Sequence, residues 1–289
     1  MALNADLIKI NNLQIAAKIV SDQMLVGLHK SKRNGIGVEF DQYRHYEPGD
    51  DPKRIDWKLF ARTQKHQIKE SSTESPIIIN FILDLSGSMN YEENKVSRLD
   101  YTKILMASLA YMGFRQNDFM NLYALKNGNL ELLAAQGKQV FQKILYALEN
   151  AKADGNLNLE NFKFPEFQTK NKELIVLISD FLDIKNGFFD LVTKWAKPGK
   201  EILIYQILGK QETEFDFKGN FLFKDLETNQ EIDLSSEIIK NRYLLKLERY
   251  LLETEEKLNL PNVHYLRYSI DQPIAEVLKN SLKKVKWNL

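Results

Sequence analysis

Apolar positions over the first 24 residues recur at helical spacing. Leu7, Ile10, Leu13, Ala16, Ala17 and Val20 fall on one stripe, which predicts an amphipathic helix over 2–24 packed against a larger body. From 25 to 76 the pattern changes to short alternating runs broken by Gly, Pro and Asp, with dense charge of both signs. VGLHKSKRNGIGVEF and TQKHQIKESSTES read as strands. RHYEPGDDPKRIDWKLFAR, between them, reads as a Pro-Gly-Asp turn followed by a short charged helix.

From Pro76 onward strand and helix alternate. IIINFILDLS and ELIVLIS are continuous apolar runs of the kind buried on both faces of a parallel sheet, and EILIYQIL and VHYLRYS extend the set. Helices are expected at about 95–114, 137–152, 187–196, 236–258 and 273–284. The long one carries Ile239, Tyr243, Leu247 and Leu251 on one stripe. FMNLYAL and LELLAA are joined through Asn127-Gly128, the dipeptide of a type I′ hairpin. The stretch 213–234 alternates like a second hairpin. The expected fold is α/β, a doubly wound and mostly parallel sheet with a small β subdomain. The boundary falls near Ser71–Pro76, so 1–75 holds the N-terminal helix and β subdomain, and 76–289 the α/β domain with a hairpin insertion near 213–234.

Composition narrows the function classes. Hydrophobic residues at 44% and charged residues at 27% are those of an ordinary globular chain,. A net charge of +1 gives no reason to expect nucleic acid or an anionic membrane as an obligatory partner,. Zero cysteines exclude disulfides, thiolate catalysis and Cys-based zinc sites,. The N-terminus lacks a basic leader and unbroken apolar run, and no apolar stretch approaches the ~20 residues needed to cross a bilayer. A cytoplasmic protein without direct membrane insertion is expected. Lys30–Arg33 and Lys279–Lys286 are short basic stretches without interleaved aromatics, and read as solvated faces.

In an open parallel sheet the working site lies beyond the carboxyl ends of the strands. Two such ends carry polar residues, Asp84-Leu85-Ser86-Gly87-Ser88-Met89 and Ser179-Asp180-Phe181-Leu182-Asp183, which makes Asp84 and Asp180 neighbours. One carboxylate and two hydroxyls in Asp-x-Ser-x-Ser are hard oxygens suited to Mg²⁺ or Mn²⁺. A Ser-rich turn capping the next helix is the plainer alternative. Enzyme motifs are missing. There is no nucleophile elbow, no phosphate-binding glycine loop, and no histidine pair at metal-binding spacing. The strand-end Asp that suggests a phosphohydrolase has Ser86, not a second Asp, two residues on. A non-catalytic protein is expected.

Asp84-Leu85-Ser86-Gly87-Ser88-Met89 resembles the first element of the metal-ion-dependent adhesion site of von Willebrand factor type A domains. Arg44-His45-Tyr46-Glu47-Pro48-Gly49-Asp50-Asp51, Arg54-Ile55-Asp56-Trp57 and Ala61-Arg62 resemble the signature of the DUF58 family, which pairs such a block with a von Willebrand A-like domain. The resemblance implies that Asp84, Ser86 and Ser88 are first-loop metal ligands and that Asp180 is the acidic residue of the later loop. The Thr of the family's middle loop has no counterpart: this chain reads Gly155-Asn156-Leu157-Asn158, and Asn156 offers a carbonyl oxygen in its place. Members of the family are often encoded beside MoxR-type AAA+ ATPases, so a MoxR-type partner is implied, with a protein partner supplying an acidic side chain to the metal. Opposite charges in the Arg44–Arg62 block lie within a few residues of each other. They read as an ion-pair network with Trp57 as its buried anchor, or as a partner-docking surface formed by Arg44, Asp50, Asp51, Arg54 and Arg62.

Overall fold

The computed structural model describes residues 4–31, 42–70, 76–155, 172–182, 186–215, 220–224 and 231–285. In chain order they form α1 (Asn4–Lys9), α2 (Leu13–Ser31), β1 (Gln42–His45), α3 (Trp57–Thr63), β2 (Gln67–Glu70), β3 (Ile78–Asp84), the short pair β4 (Glu92–Glu93) and β5 (Val96–Ser97), α4 (Arg98–Arg115), β6 (Phe119–Lys126) and β7 (Asn129–Ala134). After these come α5 (Val140–Asn150), β8 (Glu173–Ser179), α6 (Asn186–Trp195), β9 (Lys200–Leu208), α7 (Lys210–Glu214), β10 (Asn220–Lys224), β11 (Glu231–Ser235), α8 (Ser236–Leu258), β12 (Val263–Ser269) and α9 (Ile274–Leu282). They divide into two units, Leu28–Ser75 and the rest of the chain, so the N-terminal helical residues up to Gly27 group with the α/β unit and not with the β unit.

In the α/β unit β3 and β8 are buried at every position. Apolar residues on both sides of a strand require a layer on each face, and these two take the centre of a six-stranded sheet of order β12-β9-β8-β3-β6-β7. All neighbours are parallel except the edge hairpin β6–β7. That hairpin turns through Asn127 (φ 51°) and Gly128 (φ 70°), the two left-handed residues of the expected type I′ turn. Phe188, Val192 and Trp195 of α6 and Leu258 of α8 pack with Ile82, Ile175, Leu177, Ile202 and Ile204 on one face. On the other, α4 crosses so closely that a Cβ on Gly113 would meet Ile79 Cδ1 at 2.8 Å. α9 is tied beside it by Tyr205 Oη donating to Ser281 Oγ at 2.7 Å. The architecture is the expected doubly wound α/β fold.

The N-terminal segment folds as two helices and not one. The chain breaks at 10–12, where Asn11 is left-handed (φ 49°). Leu7, Leu13, Ala16, Ala17 and Val20 are buried as the stripe predicts. Asn4 Nδ2 donates to Ile270 O (2.8 Å) and Gln272 O (2.9 Å). The second helix runs on to Ser31, so 26–31 is helical where a strand is expected; 32–40 lie outside the described residues. β10 and β11 pair antiparallel as in the expected hairpin, but its first residues, 213–214, end the helix α7 instead.

The smaller unit is organised by its own carboxylates. β1 and β2 pair antiparallel. Arg44 Nη2 bonds Asp50 Oδ1 at 2.8 Å, and Asp50 Oδ2 accepts Glu47 N at 2.9 Å across the turn at Gly49 (φ 116°). Asp51 Oδ1 accepts Lys53 N. Asp56 caps α3 by accepting Lys58 N and Leu59 N, and takes Tyr43 Oη at 2.7 Å on its other oxygen. The expectation of Trp57 as buried anchor is corrected: the ring is 58% exposed, while Ile55 and Ile68 are buried and bridged to each other. The cap explains this. Asp56 turns its carboxylate onto the helix amides, which starts α3 at Trp57 and faces that side chain outward,. Trp57→Ala is therefore expected to change stability by less than about 1 kcal/mol; a drop of several kcal/mol on urea unfolding would contradict the exposed placement.

Candidate functional site

The register of β3 against β8 places Leu83 opposite Ile178. The next residues of the two strands, Asp84 and Ser179, therefore emerge side by side. Ser179 Oγ donates to Asp84 Oδ2 at 2.5 Å, and Ser86 N donates to Asp84 Oδ1 at 2.8 Å. Ser86 and Ser88 hydroxyls lie 3.0 Å apart. Gly155 forms a parallel bridge with Ser86 and exchanges backbone hydrogen bonds with the loop, Gly155 N to Leu85 O at 3.0 Å and Gly87 N to Gly155 O at 2.7 Å. The middle loop thus arrives where the sequence order requires. Asn156 itself lies outside the described residues.

Asp84 is fully buried as the last residue of a central strand, not on a loop. Burial first, and the charge of Asp180 second, push its carboxyl from 3.8 up to about 7, against the pull of the Ser179 and Ser86 hydrogen bonds,. No cationic side chain among the described residues ion-pairs with it. Asp180, also buried, is different. Arg98 Nη1 donates to Asp180 Oδ2 at 2.5 Å and to Ser88 O at 2.8 Å. Arg98 Nη2 bonds Glu212 Oε2, and that oxygen also accepts Gly209 N at 2.6 Å. The Arg98 side chain is 1% exposed, and its charge is held up by the two carboxylates against desolvation. Its guanidinium sits 4.9 Å from the Tyr91 ring centroid,. Tyr91 Oη donates to Glu93 Oε2.

Phe181, next to Asp180, holds φ 50°, a left-handed conformation uncommon for a bulky side chain. Its backbone is bound on both sides, the N–H donating to Ser179 Oγ at 3.1 Å and the carbonyl accepting Tyr250 Oη at 2.6 Å. Gln206 Nε2 holds Asp180 O at 2.7 Å. Asp180 is thereby held by α4 through its side chain and by β9 through its carbonyl, while β8 and α8 hold the backbone of Phe181 beside it.

The structure thus brings together Asp84, Ser86, Ser88 and Asp180 as expected. It adds Ser179, Arg98, Glu212, Tyr91 and Glu93, which sequence reasoning did not assign. Arg98 carried one signal: a cation in the first turn of a helix opposes the helix dipole, and such a local conflict asks for a reason. Arg44, Asp50, Asp51 and Arg62 lie in the other unit; the side chain of Arg54 is outside the described set.

Two carboxylates and two neighbouring hydroxyls are a hard-oxygen set. Among the described residues no three His, Asp or Glu side chains converge as a metal cluster, so a cation here would depend on the hydroxyls. The charges allow it: the Arg98 guanidinium is taken up by Asp180 and Glu212, and Asp84 has no cation of its own among the described residues. The residues present fit a divalent ion.

The sheet, with acidic and hydroxyl side chains collected at the carboxyl ends of its central strands, belongs to the doubly wound α/β class. The family described as "Protein of unknown function DUF58" matches residues 42–249, and the chain belongs to that family. It is 22% identical over 227 residues, 76% of this chain and 70% of the relative, to an uncharacterised protein of Mycobacterium tuberculosis, with the same figures for one of Mycobacterium bovis. Among solved structures it is similar to the conserved hypothetical protein BatB from Bacteroides thetaiotaomicron (15% identity, 72% of this chain and 98% of that one, TM-score 0.45). It is also similar to the SpRpn10 VWA domain (13%, 72% and 96%, TM-score 0.43). A third is an aerotolerance-related membrane protein from Bacteroides fragilis (14%, 72% and 100%, TM-score 0.45). In this chain no helix among the described residues is long and apolar enough to cross a membrane.

Proposed function

We propose that the chain is a non-catalytic, divalent-metal-dependent protein-interaction module of the cytoplasm. Asp84, Ser86 and Ser88 would hold Mg²⁺ or Mn²⁺, with Asp180 acting through water. Bound there, the cation would offer an open coordination position to a partner's Asp or Glu. The observation that carries this reading is the buried Asp84 carboxylate, set beside Asp180 and the paired serine hydroxyls with no cation of its own. A buried carboxylate in that position is stabilised by a cation more than by any hydrogen bond it now accepts. The adaptor role beside a MoxR-type AAA+ ATPase, implied by the family resemblance, belongs to the same proposal.

Calorimetric titration of Mg²⁺ and Mn²⁺ into EDTA-stripped protein tests it. Saturable binding is expected in the wild type and is expected to disappear in Asp84→Asn, with Ser88→Ala weakened. A second reading has its own support. Arg98 already neutralises Asp180, and a site closed by that guanidinium would serve as a metal-independent scaffold. Folded wild type that takes up no metal, with partner capture indifferent to EDTA, would favour it. Turnover of a generic phosphate ester, abolished by Asp84→Asn, would overturn both in favour of a phosphohydrolase.

A further inference from the structure

The smaller unit has an asymmetry that its sequence conceals. Its described segment mixes acids and bases, yet its three aspartates are committed to backbone and internal bonds, with Glu47 left exposed. Asp50 is held by Arg44 and Glu47 N, Asp51 by Lys53 N, and Asp56 by two helix amides and Tyr43. The exposed bases are not. Lys53, Lys58, Arg62 and Lys65 are exposed, and none ion-pairs with a carboxylate of the described residues. Lys58 and Arg62 are one turn apart on α3 and share a helix face. Beside them stands Trp57, 58% exposed, its ring edge-on to Phe60 at 6.0 Å, and Phe60 lies against His66 at 4.3 Å. A Trp supported from behind by an aromatic pair and ringed by unpaired cations has the composition of an interface hot spot.

We propose that the face carrying Trp57, Lys58 and Arg62 is a docking surface for an acidic protein segment with an apolar residue at its centre. Charge complementarity selects that partner: the aspartates that would repel it are turned into caps and internal bonds, and the exposed cations that would attract it form no ion pair with a carboxylate of the described residues. A polynucleotide fits less well. The cations cluster around two helical turns and form no extended track, and the whole chain carries a net charge of only +1,. This surface belongs to the smaller unit and the strand-end site to the α/β unit, and its occupation needs no metal.

The test uses the full chain and a fluorescein-labelled synthetic peptide of Asp and Glu with a central Leu-Phe pair, read by anisotropy. Controls are the same peptide with Lys in place of the acids, a single-stranded oligonucleotide, and anionic phosphatidylserine vesicles. Saturable binding of the acidic peptide alone is expected, weakening as salt is raised and unchanged by EDTA or by Asp84→Asn. Trp57→Ala and the double reversal Lys58→Glu with Arg62→Glu should each weaken it by about tenfold or more, with unaltered thermal unfolding to show that the variants fold. The Lys53→Glu and Lys65→Glu pair should have a smaller effect. No binding of the acidic peptide, binding that these variants leave intact, or a preference for oligonucleotide or vesicles lost in the same variants, would each overturn the proposal. Metal uptake lost in Asp84→Asn while peptide binding persists separates this surface from the strand-end site.

Discussion

Replacing Arg98 with alanine is expected to lower the stability of the α/β unit by about 3–5 kcal/mol, the cost of removing one partner of a buried ion pair. The guanidinium is the only cation in contact with the buried Asp180 among the described residues, and it also holds Glu212 and Ser88 O. Truncation would strand two carboxylates at the sheet edge and leave a cavity under Tyr91. Lysine is not an equivalent: a single ammonium cannot span Asp180, Glu212 and a carbonyl in the way a planar fork does. Arg98→Lys should therefore fall between alanine and wild type. Removing the whole network at once, with Arg98→Met, Asp180→Asn and Glu212→Gln together, should restore most of the loss, because well-packed neutral groups replace a buried ion network at little net cost. Urea unfolding of the four proteins at one pH checks the series. A loss below about 1 kcal/mol in Arg98→Ala, the range of an exposed pair, would mean that the guanidinium is solvated in solution.

The parts of this molecule that could be read from the sequence are those set by short-range pattern. Continuous apolar runs located the central strands, and Asn127-Gly128 the edge hairpin. Two polar strand ends were enough to bring Asp84 to Asp180, because parallel strands of one sheet discharge at one edge. The reading failed where a cap or the continuation of a helix overrides the side-chain pattern, and where a long-range contact decides. Residues 26–31 extend α2 although Gly27 interrupts their helical pattern; continuing an existing helix adds a hydrogen bond per residue without a new nucleus. Trp57 is expected as the buried anchor of the charged block, but the Asp56 cap fixes where α3 begins and so which way the ring points. Glu212 reaches Arg98 from 114 residues away; no local spacing announces it. The sequence order of site elements was thus legible, and the counter-ion that completes their charge was not.

That counter-ion serves Asp180 and leaves Asp84 alone, which leads to the second large effect: metal-stripped protein should lose stability as the pH is raised through the mildly acidic range. The sign follows from linkage. The Asp84 carboxyl sits near 7 in the folded protein against 3.8 as its ordinary value, so the folded state holds a proton that the unfolded chain has released. Its contribution is fully present below about pH 4, is lost progressively from there to about pH 7, and then levels off. A separation of roughly three pH units corresponds to a loss on the order of 4 kcal/mol. Asp84→Asn, with no proton to lose, should flatten that slope and be more stable than wild type at pH 8, provided the Ser179 hydroxyl turns to accept from the new amide. Mg²⁺ should act in the opposite place: a cation against the carboxylate stabilises its ionised form, lowers its pKa, and flattens the slope in the wild type while leaving Asp84→Asn unmoved. Chemical unfolding from pH 4 to 8, in EDTA and in Mg²⁺, reads all of this. A wild-type profile identical to that of Asp84→Asn in EDTA would mean that Asp84 ionises normally. A slope present in EDTA that Mg²⁺ fails to remove would keep the buried carboxylate and take away the metal.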